Sequence, residues 1–272
     1  MIDLDVLPDV LEKIRVDRCK NDIHSQSEDW LAVEIPVAIE YNGISHAVML
    51  ASPANLEDFA LGFSLTEGII SSTDEMFDCE VEHQCDGLVV KTEIASKRFV
   101  ALKDRRRNLT GRTGCGLCGV ETIQDAVRTH DPVHHRNLIA QSAVTAGIQK
   151  MQNLQPMHKE CGATHAAAWM NLAGDIICVR EDVGRHNALD KLIGHLARTG
   201  CDFSQGAALI TSRASYEMVQ KCASVGIGFL AAISAPTSLA TRLANDCGIT
   251  LMGYIREQGY VAYAHAERIT KD

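Results

Sequence analysis

The strongest chemical signal in the sequence is a pair of cysteines, Cys115 and Cys118, with glycines at positions 114, 116 and 119. The stretch 103–112 holds five basic residues against the single Asp104, which gives it a charge of +4: Lys103, Arg105, Arg106, Arg107 and Arg112. Residues 120–128 are typical of a helix, so both thiols lie just before a helix N-terminus and beside guanidinium groups. Each setting favours the thiolate and lowers a cysteine pKa from about 8.5 into roughly the 3.5–7.5 range. The pattern predicts a nucleophilic or sulfur-carrying cysteine.

Three other interpretations of this cysteine pair stay open at the level of the sequence. A structural zinc site needs four ligands, usually with a second close pair, whereas the other candidates are only Cys79, Cys85 and Cys161. A thioredoxin-type dithiol normally follows a strand near the start of a βαβ unit, and here the pair lies in mid-chain among glycines. An inert, buried pair fits poorly with so polar a segment. A sulfur-carrying cysteine is therefore the favoured interpretation.

A second group of candidate residues spans 160–168 and includes Cys161 and His165. It is similar to the zinc signature of nucleobase deaminases, in which a His and a following Glu accompany a Pro-Cys-x-x-Cys segment. Alanine fills the positions after His165, and Gly114 stands where the signature has proline. We therefore expect no deaminase chemistry and no permanently bound metal, and we interpret His165 as a histidine of a strand or of the core.

Polar residues also follow three predicted strands, at the edge where open α/β sheets bind their ligands. The segments are 180–187 after a strand ending at Val179, 211–215 after a strand ending at Ile210, and 234–238 after the next strand. Each offers hydroxyl groups, arginine or a helix N-terminus, which are the groups that hold phosphate. A surface ion-pair cluster is the alternative for the first segment. Together the three predict an anionic, nucleotide-sized ligand.

The first part of the chain is predicted to be a small α+β unit. Residues 1–29 show no sustained period and are expected to be extended or partly mobile. The pattern then predicts strands over 31–41 and 44–50 with an Asn42-Gly43 turn, a helix over 56–65 capped by Asn55, and short strands over 81–91 and 98–102.

The second part alternates apolar strands with amphipathic helices. The pattern predicts strands over 164–171 and 175–179, a helix from Asn187, a strand over 206–211, a helix over 215–224, a strand over 228–234, a helix over 236–246, and strands over 250–256 and 260–265. This alternation favours an α/β layer with a largely parallel sheet. The boundary between the two parts is predicted near 112–124.

Composition excludes several classes of protein. The chain has 272 residues, 26 basic against 35 acidic, and a formal net charge of −9, which argues against a general nucleic-acid binder. Ten cysteines in this length are too sparse for a small disulfide-stapled fold. The first ten residues lack the pattern of a secretory signal, and no apolar run approaches the ~20 residues of a membrane span. We expect a soluble, cytoplasmic protein with reduced thiols.

Four motifs resemble the FdhD family of formate dehydrogenase accessory sulfurtransferases. They are Thr-Gly-Arg-Thr-Gly-Cys-Gly-Leu-Cys-Gly at 110–119, Arg-Glu-Asp-Val-Gly-Arg-His-Asn-Ala-Leu-Asp-Lys at 180–191, Thr-Ser-Arg-Ala-Ser-Tyr-Glu-Met at 211–218, and Ile-Ser-Ala-Pro-Thr-Ser at 233–238. The motifs fall in the family's order, and the resemblance runs from about Trp30 to the end of the chain.

The resemblance implies a sulfur-transfer function. Members of the family are held to take sulfane sulfur from a cysteine desulfurase as a cysteine persulfide. They pass it to the molybdenum (or tungsten) atom of a bis-molybdopterin guanine dinucleotide cofactor before that cofactor enters formate dehydrogenase. The implied partners are therefore the desulfurase and formate dehydrogenase, and the implied assembly is a cytoplasmic homodimer that binds neither nucleic acid nor membrane.

The resemblance also assigns roles to residues. It implies that Cys115 carries the persulfide and that Cys118 is the assisting thiol. The family's cofactor-binding stretch corresponds to Tyr254, Ile255, Arg256, Glu257, Gln258 and Gly259. These residues would offer an aromatic face and a guanidinium, although composition alone explains them equally well as an edge hairpin. Our hypothesis adds strand-end groups that would hold the cofactor: Arg180, Arg185, Thr211, Ser212 and Arg213.

The fold implied is a small N-terminal α/β domain followed by a cytidine-deaminase-like, three-layer α/β domain. The predicted divisions are a variable segment over 1–29, the small domain over 30–114, and the larger domain over 115–272 with the C-x-x-C at its start. Two alternative functions remain: a chaperone that binds the cofactor without sulfur chemistry, and a C-x-x-C thiol–disulfide oxidoreductase.

Overall fold

A computed structural model describes residues 10–110, 131–134, 137–257 and 259–271, apart from the side chains of 105–110. Strands and helices in these ranges build a mixed α/β fold, which confirms the predicted fold class. The helices are α1 (Leu56–Thr66), α2 (Ser96–Thr110), α3 (Gln141–Asn153), α4 (Pro156–Cys161), α5 (Arg185–Arg198), α6 (Tyr216–Val225) and α7 (Ser238–Cys247).

The first described element is a long β-hairpin formed by β1 (Leu11–Lys20) and β2 (Ile23–Ala32). The prediction of an extended or partly mobile segment is therefore wrong from residue 11 onward. Asn21 and Asp22 both have positive φ angles, 52° and 61°, as a two-residue type I′ turn requires. Most side chains of the hairpin are exposed and many are charged, so it lacks the hydrophobic alternation that normally reveals a strand.

A four-stranded sheet in the order β4-β3-β6-β5 forms the core of the N-terminal part. Its strands are β3 (Ile35–Tyr41), β4 (Ile44–Ala51), β5 (Met76–Gln84) and β6 (Gly87–Ile94). Helix α1 packs on its inner face through Phe59, which is buried with Val37 and Ile39. The predicted Asn42-Gly43 turn is confirmed, because it joins β3 to β4 with positive φ at both residues.

Three local predictions in this part are wrong. Residues 81–91 are not one strand but the end of β5, a turn and the start of β6. Residues 98–102 lie in helix α2, where Phe99 packs against the core and Leu102, one turn later, is buried. Asn55 has a left-handed conformation, with φ 54°, and makes no side-chain hydrogen bond to α1, so it does not cap that helix.

The larger sheet has six strands in the order β13-β12-β11-β10-β8-β9. They are β8 (His165–Asn171), β9 (Ile176–Asp182), β10 (Gly206–Ile210), β11 (Phe229–Ala232), β12 (Thr250–Arg256) and β13 (Gly259–Ala264). Only the pairs β10–β11 and β11–β12 are parallel, whereas β8–β10, β8–β9 and β12–β13 are antiparallel. The prediction of a largely parallel sheet is wrong, because short turns join β8 to β9 and β12 to β13, and a short turn connects only antiparallel neighbours.

Helices cover both faces of this sheet and complete a three-layer arrangement. On one face α5, α6 and α7 bury Leu192, Met218 and Leu243 against strand residues such as Trp169. On the opposite face α3 packs through Val144 and other apolar residues. A short parallel pair, β7 (Ile139–Ala140) with β14 (Ile269–Thr270), lies beside α3.

The two parts of the chain meet where α1 crosses α5, and both helices have a glycine at the crossing. A Cβ atom on Gly62 would lie 1.8 Å from the carbonyl oxygen of Asp190, and one on Gly194 would lie 1.9 Å from that of Asp58. No other residue tolerates so close a backbone approach. The crossing therefore fixes how the N-terminal sheet sits against the larger one. The predicted divisions at 29/30 and 114/115 stay predictions, and the second lies outside the described residues.

Candidate functional site

The predicted site residues fall into two groups with respect to the structure. Cys115, Cys118 and Gln258 lie outside the described residues. The others follow strands of the six-stranded sheet, and most of them gather at one edge. We call these groups, with the neighbouring Ser215, the strand-end surface: Arg185, Thr211, Ser212, Arg213, Ser215, Tyr254 and Arg256.

Two loops of the strand-end surface are held rigidly against each other. The loops after β10 and β11 are bridged where Ala214 pairs with Pro236, and the backbone N–H of Ala214 donates to the carbonyl of Ala235 at 3.2 Å. Thr211 is anchored to β8, because its Oγ1 accepts from the N–H of Ala166 at 2.9 Å. The positions of the hydroxyl and guanidinium groups on these loops are thus set by the sheet.

The loop after β10 leads directly into helix α6 and carries groups without internal partners. The guanidinium of Arg213 is exposed and has no hydrogen-bond or ion-pair partner among the described residues. The Oγ of Ser215, at the N-cap of α6, is buried and bonds neither to the helix nor to any other described group. Ser212 is itself 5% exposed. A buried hydroxyl and a free guanidinium beside a helix N-terminus are the groups expected at an anion site.

The start of α5 adds a second cluster with an unsatisfied cation. The Nε of Arg185 is buried and has no hydrogen-bond partner in the described part of the chain. Next to it, His186 Nε2 lies 2.6 Å from Glu217 Oε2, which links the first turns of α5 and α6. The close approach of His186 lowers the pKa of Glu217. The N-termini of α5 and α6 are therefore neighbours, and each carries a buried polar atom that has no hydrogen-bond partner among the residues the structure describes.

His165, at the start of β8, faces this cluster. Burial lowers the pKa of His165, and the charge of Arg185 lowers it further. The charge of Arg185 also lowers the pKa of Glu217, so this cluster combines a guanidinium, two histidines and a carboxylate. The sequence interpretation of His165 as a strand histidine agrees with its position.

The closing strand supplies the aromatic group of the strand-end surface. Tyr254 lies in β12 with a φ angle of 51°, at a register shift, and its side chain is 50% exposed. A left-handed conformation is costly for a tyrosine and is a known feature of binding sites. Ile255 is buried, while Glu257 is exposed and Gly259 begins β13. Arg256 donates to the carbonyls of Ile233 and Ile255 at 2.7 and 2.8 Å, so its stem is fixed across the end of β11.

Arg180 is the one described arginine of the predicted set that the structure does not bring to this surface. Its Nε and Nη2 donate to Oδ2 of Asp58 at 3.2 and 3.0 Å. Asp58 is 1% exposed and also pairs with Arg198 at 2.5 Å. Arg180 therefore helps to hold α1 to β9 and α5. This contact agrees with the alternative interpretation of its segment as an ion-pair cluster and not as a phosphate site.

Most other charged residues of the 180–191 motif are buried and structural, which sequence reasoning missed. Asp182 pairs with Lys191 at 2.6 Å, and both side chains are fully buried. Asp182 also accepts the N–H of Ser52 at 3.0 Å, and Lys191 donates to the carbonyl of Ser52 at 2.9 Å. The available signal was the position of Asp190 and Lys191 between the apolar residues of α5, where a charged side chain has to be buried with a partner.

Glu181 has a similar structural role. Its carboxylate accepts the backbone N–H groups of Met157 and His158 at 3.1 and 2.8 Å, at the start of α4, and the hydroxyl of Thr164 at 3.0 Å. Burial raises the pKa of Glu181, and these three hydrogen bonds oppose the shift. Of the 180–191 motif, Arg185 and His186 are thus the side chains that face the strand ends.

Two further features concern metal ions and membranes. Within the described ranges, no group of three or more His, Cys, Asp or Glu side chains is placed to hold a metal ion. None of the helices in those ranges is both long and apolar enough to cross a membrane.

Comparison with known proteins places the chain in a family. Its residues 32–270 match the model of the FdhD/NarQ family. A protein of Cupriavidus necator named "Sulfur carrier protein FdhD" is 54% identical over 243 residues, which are 89% of this chain and 84% of that protein. A Bordetella bronchiseptica protein of the same name is 52% identical over 241 residues, 89% of this chain and 87% of that protein.

A solved structure shares the fold. The crystal structure of a candidate formate dehydrogenase accessory protein from Desulfotalea psychrophila superposes with a TM-score of 0.75 at 22% identity, covering 96% of this chain and all of that one. At this identity the likeness shows the fold alone. The match over 32–270 and the relatives above 50% identity establish the family: the chain belongs to the FdhD/NarQ family.

Proposed function

We propose that this chain is a sulfur carrier for formate dehydrogenase, which takes sulfur from a cysteine desulfurase and delivers it to a molybdenum or tungsten cofactor. The observation that carries the proposal is the similarity, over nearly nine tenths of the chain, to proteins named as sulfur carriers. The sequence supplies the cysteines such a carrier needs, Cys115 and Cys118. The strand-end surface supplies the anion-binding groups that a dinucleotide cofactor needs.

Sulfur loading would be a thiol–persulfide exchange at Cys115. The Cys115 thiolate attacks the outer sulfur of the donor's persulfide, so that a new S–S bond forms on Cys115 as the donor's S–S bond breaks. The donor cysteine leaves as a thiolate, and no external oxidant or reductant is consumed. The basic residues upstream and the predicted helix downstream favour the thiolate on which this exchange depends.

Cofactor binding is proposed for the strand-end surface. From β9 to β12 this edge crosses four strand spacings of about 4.8 Å, or roughly 19 Å, a length suited to a nucleotide. Arg185 and Arg213 would oppose phosphate, with the hydroxyl of Ser215 and the start of α6 between them. Tyr254 and Arg256 would contact a base. Within the described part of the chain the buried Nε of Arg185 and Oγ of Ser215 have no hydrogen-bond partner, which supports this proposal, because buried polar atoms normally have one.

Delivery would transfer the outer sulfur to the metal of the bound cofactor, which is the substrate of this step. Attack of the Cys118 thiolate on the sulfur of Cys115 breaks the persulfide bond, forms a Cys115–Cys118 disulfide and releases the outer sulfur as sulfide. A lone pair of the Cys118 thiolate forms the disulfide bond, and the electron pair of the broken persulfide bond leaves with the outer sulfur. A cellular dithiol reductant of the thioredoxin type would restore the carrier.

A complementation experiment tests this function. In a strain that lacks its own carrier, the wild-type chain should restore formate dehydrogenase activity and Cys115→Ala should not. Purified Cys115→Ala should bind GDP, as a probe of the guanine nucleotide end of the cofactor, with wild-type affinity. If Cys115→Ala restores activity, the chain acts as a cofactor chaperone without sulfur chemistry. If it loses GDP binding too, the separation of carrier and cofactor site is wrong.

A further inference from the structure

Helix α2 is the most basic element of an acidic chain. Over Ser96–Thr110 it contains six basic residues and one acidic residue, a charge of +5 within a protein of −9. Three of the basic residues, Lys97, Arg98 and Lys103, have described side chains, and the helix continues through the arginines at 105–107.

The basic residues of α2 are not explained by a stabilising effect on the helix itself. The first turn of α2 has no acidic residue, and Lys97 and Arg98 occupy it, although the helix dipole favours negative charge there. Arg98 is neutralised by Glu75, whose carboxylate oxygens lie 2.9 and 2.8 Å from its Nε. The ammonium of Lys103 lies 4.7 Å from the centre of the Phe99 ring. Lys97 is exposed and has no ion-pair partner in the described ranges.

The outward face of α2 combines positive charge with exposed apolar surface. Leu102 is buried, and Phe99 packs against the N-terminal core. Lys97, Val100, Ala101 and the acidic Asp104 are exposed and lie at helical spacing on the opposite side, and Lys103 lies at the edge of that face beside Phe99. Val100 is 52% exposed. An apolar centre with a charged rim is the composition of a protein–protein interface, whereas a phosphate site needs no exposed valine.

This face is close along the chain to the proposed sulfur-carrying cysteine. Helix α2 ends at Thr110, five residues before Cys115. Five residues span at most about 17 Å, so a protein bound on α2 would have its own reactive group within reach of Cys115. The strand-end surface, in contrast, is built by the six-stranded sheet of the other part of the chain.

We propose that the exposed surface of α2, with Lys97 and Val100 on its outward face and Lys103 at the edge, is the docking surface for the protein that donates sulfur, through acidic side chains around the donor's persulfide. The proposal rests on the proposed function, since it presupposes a sulfur donor. Sulfur relay requires a brief and specific encounter, and complementary charge raises the rate of such an encounter. Because the chain has a net charge of −9, most of its surface repels an acidic partner, and a basic patch such as this one attracts it.

The test compares two sources of sulfur on charge-reversed variants of the full chain. Lys97→Glu/Lys103→Glu is the docking variant. Lys20→Glu/Lys159→Glu, at two exposed lysines on the β-hairpin and on α4, changes the net charge equally. Each protein is loaded either by a purified cysteine desulfurase with L-cysteine or by inorganic polysulfide, and sulfur gained is followed by intact mass. The measurement is made at low and at high salt.

The docking variant should load from the desulfurase at least about 10-fold more slowly than wild type at low salt, with a smaller difference at high salt. It should load from polysulfide at the wild-type rate, and the control variant should match wild type with both sources. Equal slowing with both sources, or no slowing, overturns the docking proposal while leaving sulfur carriage intact. Normal loading with weakened GDP binding would assign α2 to the cofactor instead. A wild-type chain that gains no sulfur from either source overturns both proposals.

Discussion

Gly194 is the position where a single added carbon should do the most damage to the fold. A Cβ atom there would lie 1.9 Å from the carbonyl oxygen of Asp58, and ordinary contact begins at 3.4 Å, so α5 and α1 would have to separate by about 1.5 Å. The groups that would clash are fixed to the backbones of the two helices, so no side-chain rotation can relieve the clash. The crossing also carries the ion pairs of Asp58 with Arg180 and Arg198, which a separation would stretch.

Because the clash is backbone against backbone, the upper end of the overpacking cost applies, and Gly194→Ala should lower the free energy of unfolding by about 2 kcal/mol. Overpacking of this kind costs about 1–3 kcal/mol or more, and the gain of about 1 kcal/mol in helix propensity from glycine to alanine offsets only part of the strain. Equilibrium urea unfolding, followed by circular dichroism, measures the difference. In a helix without the close crossing the same substitution would stabilise the protein, so the sign of the effect is diagnostic.

Gly147→Ala in α3 provides the matched control. A Cβ atom there would meet the sulfur of Met170 at 2.3 Å and a methyl carbon of Leu209 at 3.1 Å, but both neighbours are side-chain atoms and not backbone. We expect a change within about 1 kcal/mol of wild type, because methionine can move to another rotamer. If Gly194→Ala proves as stable as wild type, or more stable, the helix crossing is looser than the geometry indicates and the reasoning is refuted.

Three further predictions concern buried charge and the candidate site. Lys191→Met should lower the free energy of unfolding by about 3–5 kcal/mol, measured in urea, because it leaves the carboxylate of Asp182 buried without its cation; an unchanged stability would contradict this. Arg185→Ala should weaken GDP binding about 10–100-fold, because a charge-assisted hydrogen bond contributes about 1.5–3 kcal/mol. Calorimetry measures the affinity, and Arg15→Ala on the hairpin is the control that should leave it unchanged. Equal affinities for the two variants would argue against the site. Because the folded pKa of His165 lies below its usual 6.5, the unfolded chain binds the proton more readily, so stability should fall as the pH drops below about 6.5. His165→Gln should reduce that loss in urea titrations at about pH 5.5 and 7.5, and an undiminished loss would exclude this histidine as a cause.

Local signals in the sequence predicted the elements that have strong local causes. The Asn42-Gly43 turn, the apolar strands β10 and β11 and the amphipathic α5 follow from turn chemistry and periodicity. The hairpin β1–β2 was missed because cross-strand ion pairs such as Lys13 with Glu28 take the place of apolar alternation. Residues 98–102 resemble a strand in the sequence because five residues are too few to distinguish the two-residue period of a strand from the 3.6-residue period of a helix.

The sequence predicted where the strand-end surface lies, but not all of the residues that form it. The rule that ligands bind at strand ends placed Arg185, Thr211 and Arg213 at one edge. The same rule placed Arg180 there, and only the tertiary contact with Asp58, 122 residues away in the sequence, shows that its guanidinium is already occupied. Burial of Asp182 with Lys191 depends in the same way on the loop that contains Ser52. Sequence periodicity carries no information about such distant partners.

The most direct test of the central claim is the mass of the intact protein after incubation with a cysteine desulfurase and L-cysteine. The wild-type chain should gain one sulfur atom that a reducing agent removes, and Cys118→Ala should gain it and keep it longer. Cys115→Ala should gain none under the same conditions. If Cys115→Ala gains reducible sulfur as wild type does, or if the wild-type chain gains none, Cys115 is not the sulfur-carrying residue.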